Sequence, residues 1–73
     1  MKNLTTEELN TLASRKGVKR IAVVNFLSTA GLSGESLTEA YMNMKSDAKF
    51  YGWNSATQTA IVAGLEKIFN FKG

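Results

Sequence analysis

Apolar positions recur with helical period in four stretches of this 73-residue chain, and glycine-containing turns separate them. The first stretch opens on a capping box. Thr5 and Glu8 stand three apart, so each side chain can satisfy a backbone N–H that the helix leaves orphaned. Leu4 and Leu9 flank the cap at hydrophobic-staple spacing, and Glu7 and Glu8 oppose the positive end of the helix dipole. Leu9, Leu12 and Ala13 give a short apolar face. Arg15 and Lys16 suit a last turn and Gly17 a left-handed residue after it, which predicts a helix over 6–16.

The second stretch predicts a helix over 18–29. Ile21, Ala22, Val24, Phe26 and Leu27 cover more than half its circumference, the pattern of a central and mostly buried helix. Its β-branched run also suits a strand. No other segment offers that strand a partner, so the helix is preferred. Gly31 is expected to end it, with Gly31-Leu32-Ser33-Gly34 as the turn. Ser36 and Glu39 then repeat the capping-box spacing. Leu37, Tyr41, Met44, Ala48 and Tyr51 recur at helical steps over 37–51, and Gly52 closes them. Asn54 is a good cap for a fourth helix. Ile61, Leu65 and Ile68 form its seam, widened by Ala60, Val62 and Phe69. Phe71 is expected to pack back, and Lys72-Gly73 to fray. Residues 1–73 thus read as one all-α domain, a compact four-helix unit with short turns and the second helix at its hydrophobic centre.

Composition narrows the chemistry. The chain has no Cys and no His. That removes zinc sites built on those ligands, disulfides, thiol nucleophiles and imidazole bases. The carboxylates Glu7, Glu8, Glu35, Glu39, Asp47 and Glu66 show no metal-ligand spacing, and no Gly-rich phosphate loop occurs. The expectation is a binding module rather than an enzyme, with no cofactor and no metal. No apolar run approaches the roughly 20 residues of a membrane span. The polar start Thr5-Thr6-Glu7-Glu8 occupies the place of a signal peptide's apolar core. A soluble, cytoplasmic protein with no membrane partner is expected.

The net charge is +3, and its distribution matters more than its size. Residues 1–20 carry five basic and two acidic side chains, while residues 21–44 carry only Glu35 and Glu39. Arg15, Lys16, Lys19 and Arg20 crowd around Gly17. Such a turn could hold a backbone phosphate with N–H groups at the start of the second helix. In that respect it resembles a helix-hairpin-helix element, with Lys19 standing where that family has a second glycine. The competing reading is a solvated turn whose charges favour the C-terminal end of the first helix.

The junction of the last two helices gives a second candidate. Ala48 is followed four residues later by Gly52, then by Trp53, Asn54 and the polar run Ser55-Ala56-Thr57-Gln58-Thr59. From Ala48 to Ile61, about a fifth of the chain, this resembles a helix-turn-helix unit. Gln58 departs from the aliphatic residue usual there, and the second helix has no basic residue before Lys67. The resemblance implies DNA binding: Asn54, Ser55, Gln58 and Thr59 would face base edges, and Lys45, Lys49 and the Arg15–Arg20 cluster would meet phosphates. The plainer reading makes Gly52 an ordinary helix-ending glycine and Asn54 an ordinary cap.

Aromatic residues suggest a different partner. Phe50 lies off the Tyr41–Tyr51 stripe, and with Trp53 it could form an exposed patch beside Gly52, with Met42 as a flexible contact. That would suit a protein partner or a homodimer. A Trp beside a tight turn also commonly plugs the end of a small core.

Overall fold

The computed structural model describes residues 4–69; the expectations for Phe71, Lys72 and Gly73 lie outside the described residues. Four helices follow one another: α1 (Thr6–Ala13), α2 (Arg20–Ser33), α3 (Leu37–Tyr51) and α4 (Ser55–Phe69). The described residues contain no strand, and Ile21–Leu27 is helical throughout.

Four sequence-local signals form as the residue types require. Thr5 Oγ1 accepts the Glu8 N–H at 3.1 Å while Glu8 Oε1 accepts the Thr5 N–H at 2.9 Å. Ser36 and Glu39 make the same reciprocal pair. Asn54 Oδ1 accepts the Thr57 N–H at 2.8 Å, capping α4. Gly52 ends α3 with φ +72°, and the Trp53 N–H reaches back to the Ala48 carbonyl at 2.9 Å.

Three boundaries differ from expectation. α1 stops at Ala13, three residues early, where the Ser14 hydroxyl bonds the Asn10 carbonyl and competes with further helix. α2 begins at Arg20 and runs through Gly31 to Ser33, ending at Gly34 with φ +75°. A helical glycine costs only about 1 kcal/mol relative to alanine, so Gly31 does not terminate a helix that has a better stop three residues on. Ser33 fixes that exit. Its hydroxyl lies 3.2 Å from the Ala30 carbonyl and receives the Glu35 N–H at 3.3 Å.

The centre of the core is α4 rather than α2. It packs against each of the other three helices and buries Thr57, Ala60, Ile61, Gly64, Leu65 and Ile68. Small residues one turn apart make this possible. A Cβ added at Gly64 would collide with Leu27 Cδ1 and lie 3.2 Å from Leu12 Cδ1. α2 buries only Val23, Leu27 and Ala30. Its apolar residues surround the axis, so one row stays outside, and Ile21 is 73% exposed. On α3 the buried row is Ala40, Met44 and Ala48, and the two tyrosines of the expected stripe are exposed. Alanines let α3 approach α4 closely, which moves the tyrosines to the margins where their hydroxyls meet water. Full burial of side chains such as Val23, Leu27, Ile61, Leu65 and Ile68 stabilises the fold by about 1.5–3 kcal/mol each.

Candidate nucleic-acid interface

The loop between α1 and α2 folds onto the start of α4. Gly17, at φ +82°, turns its carbonyl toward Asn54, whose Nδ2 donates to it at 2.9 Å. Two residues on, the Lys19 N–H donates to Thr57 Oγ1 at 2.9 Å. Lys19 Nζ lies 3.5 Å from the Gly52 carbonyl. The basic turn and the α3–α4 turn are therefore joined, although more than thirty positions separate them in sequence.

This places most of the basic residues around one polar helix face. Arg15 and Lys16 line a shallow depression with Ser55 and Thr59. Lys45 lines the adjoining one with Ser55, Gln58 and Thr59. Lys45 and Lys49 share a third with Gln58 and Trp53. Ser55 and Thr59, both exposed, thus stand between Arg15 and Lys16 on one side and Lys45 on the other. Lys45 Nζ also sits 5.6 Å from the centre of the Tyr41 ring, within cation–π range. α4 carries no acidic residue before Glu66, at the far end of the Lys45 depression. Arg20 departs from the group, since its guanidinium bonds Asn10 Oδ1 on α1 at 2.7 Å.

Electrostatics at the start of α2 are unusual. α1 has no basic residue in its last turn, and Arg15 and Lys16 come only after its C-cap Ser14. Lys19 is the N-cap of α2 and Arg20 its first residue, with no side-chain cap and no acidic residue in the first turn. Positive charge at the positive end of a helix dipole is unfavourable by a few tenths to about 1 kcal/mol. A bound anion would reverse the sign of that term. The Lys19 N–H is not available to such an anion in the manner of a helix-hairpin-helix element, because Thr57 takes it.

Two of the four expected base readers have internal partners. Both ends of the Asn54 amide are engaged, one as the α4 cap and one on Gly17. Gln58 Nε2 donates to the Trp53 carbonyl at 3.2 Å. Thr57, to which the sequence pattern gave no role, is fully buried and is the acceptor that docks the basic turn. Its signal was its place three residues after the Asn54 cap.

The aromatic residues form a chain of contacts. Phe50 meets Tyr51 edge-on at 4.7 Å, Tyr51 stacks on Trp53 at 6.2 Å, and Trp53 meets Phe26 edge-on at 5.9 Å. Trp53 is half-buried against the core, whereas Phe50 is 78% exposed. Met42 lies with Trp53 and Lys49 and is also exposed. Among the described residues no group of three or more acidic side chains could hold a metal ion, and no helix is long and apolar enough to cross a membrane.

Comparison of the chain with family models, curated proteins and solved structures finds no match.

Proposed function

We propose that this domain is a small, non-catalytic nucleic-acid-binding module that engages duplex DNA through the first two turns of α4. The carrying observation is the flanking of exposed Ser55 and Thr59 by Arg15, Lys16 and Lys45, with Lys49 one helical turn further along α3. The three-residue link Gly52-Trp53-Asn54 supports a helix-turn-helix-like hairpin. The uncapped, basic start of α2 supports an anionic partner. The lysines and Arg15 meet phosphates. Ser55 and Thr59 meet base edges, with Gln58 beside them. Hydroxyls pair with several bases, so sequence preference is weak. Asn54 serves as the tie between turns rather than as a reader. Such a module needs neither metal nor cofactor, and it works in the cytoplasm.

Fluorescence anisotropy of a labelled duplex against salt tests this. Four neutralised phosphates give a log–log slope of about −3 to −4. Arg15→Glu, Lys16→Glu and Lys45→Glu together should remove binding and flatten the slope. Binding that ignores salt, or that survives the triple change, would end the reading.

The exposure of Phe50 and of Met42 (61%) favours a second reading, a protein-interaction module or homodimer built on that side of α3. Sedimentation velocity of the chain and of Phe50→Ser decides it. A single unchanged monomer in both rules the homodimer out.

A further inference from the structure

A second surface lies on the other side of α3. Lys45 and Asp47 are two residues apart on that helix, hence about 200° around its axis. Asp47 faces an open groove of about 620 Å³ between α2 and α3. It is lined by the apolar side chains of Ile21, Phe26, Tyr51 and Trp53 together with the carboxylates of Glu35 and Asp47. The groove exists because both helices pack on α4, so the outward row of α2 is left without a neighbour. It follows α2 from Ile21 to Ser33, which at 1.5 Å per residue is about 18 Å, or three turns of a helix.

Charge selects the occupant. The chain carries +3 overall, yet among the described residues the groove is lined by two carboxylates and by no Lys or Arg. Glu35 is held in place by neutral donors, the Ser33 hydroxyl at 2.7 Å and the Asn43 amide. Its charge is positioned without being neutralised by these partners. A second copy presenting the same groove would set carboxylate against carboxylate, which disfavours a two-fold dimer here. We infer that the α2–α3 groove is a docking site for a basic amphipathic helix of another protein. That helix would lay its apolar anchors on Ile21, Phe26, Tyr51 and Trp53 and its Lys or Arg side chains beside Glu35 and Asp47. The inference does not depend on the nucleic-acid reading, and its groove adjoins the Phe50 and Met42 surface through Tyr51 and Trp53.

Trp53 is the only tryptophan, so its emission reports occupancy directly. The probe is a synthetic helical peptide of about sixteen residues, with leucines at i, i+4, i+7 and i+11 and lysines flanking them. A twin carries glutamate in place of lysine. The lysine peptide should shift Trp53 emission saturably and bind at least about tenfold more tightly than its twin. Asp47→Lys and Ile21→Ser should each weaken it about fivefold or more, with the circular dichroism unchanged. Because Ile21 is exposed, its replacement leaves the core intact and keeps the test valid even if Asp47→Lys unfolds. Equal binding of both peptides, no binding of either, or indifference to Ile21→Ser would overturn the inference. So would a dimer that Ile21→Ser dissolves, which would assign the groove to a second copy.

Discussion

The hydroxyl of Thr57 accepts the backbone N–H of Lys19 at 2.9 Å, across 38 positions of sequence, and Thr57 has no exposed surface. Thr57→Val keeps the shape and removes the acceptor. A part-buried N–H then loses its partner, at a cost of about 1–3 kcal/mol. Thr57→Ser retains the oxygen and should cost less. Urea unfolding of the two variants checks the order; a larger loss in Thr57→Ser would mean that packing of the methyl, and not the hydrogen bond, dominates.

Lys19 itself offers a change of opposite sign. Lys19→Ser supplies the missing side-chain cap of α2, worth about 1 kcal/mol, and removes a charge from the positive end of its dipole. Melting should rise by about 4–8 °C for a chain of this size. Duplex affinity should fall in the same variant. A residue whose loss stabilises the fold while weakening binding is placed for the partner rather than for the fold.

Asn54 separates the two roles open to it. As cap and as tie to Gly17, it holds both turns. Asn54→Ala should lower unfolding free energy by about 1–2 kcal/mol. Asn54→Asp keeps the cap and loses only the Gly17 link, so it should fall between. Denaturant midpoints suffice to rank the three proteins.

Two glycines resist alanine for different reasons. At Gly64 the backbone is helical, so alanine gains up to about 1 kcal/mol of propensity but drives a methyl into Leu27 and Leu12, which costs about 1–3 kcal/mol. At Gly34 the added Cβ meets nothing within 4 Å, and the cost of about 1–2 kcal/mol comes from φ +75° alone. Asparagine discriminates them. Gly34→Asn should be milder than Gly34→Ala, while Gly64→Asn should unfold the chain in thermal melts.

The helices, their caps and the stop at Gly52 were legible because they depend on residues three to five apart. Thr5 with Glu8 and Ser36 with Glu39 needed no tertiary information. Which helix holds the centre was not legible in the same way. The apolar richness of α2 pointed to it, but close approach is set by small residues, and Ala60 and Gly64 on α4 outweigh Ile21 and Val24. Tyr41 and Tyr51 fell on the helical stripe by spacing, yet Ala40 and Ala48 took the contact with α4. For the candidate site, the basic residue types could be read from the sequence. Their gathering around Ser55 and Thr59 could not, because it depends on Thr57 and Asn54 binding a turn 37 or 38 residues away.

The stitched turns also have a kinetic consequence. Lys19 cannot release its amide to solvent unless it parts from Thr57, and that contact joins the α1–α2 loop to the most enclosed helix of the molecule. Deuterium should therefore enter at Lys19 only on whole-molecule opening, even though a loop of six residues would ordinarily exchange far sooner. On the proposed reading, the basic turn would then reach an anionic partner already rigid, with little disorder left to surrender on association.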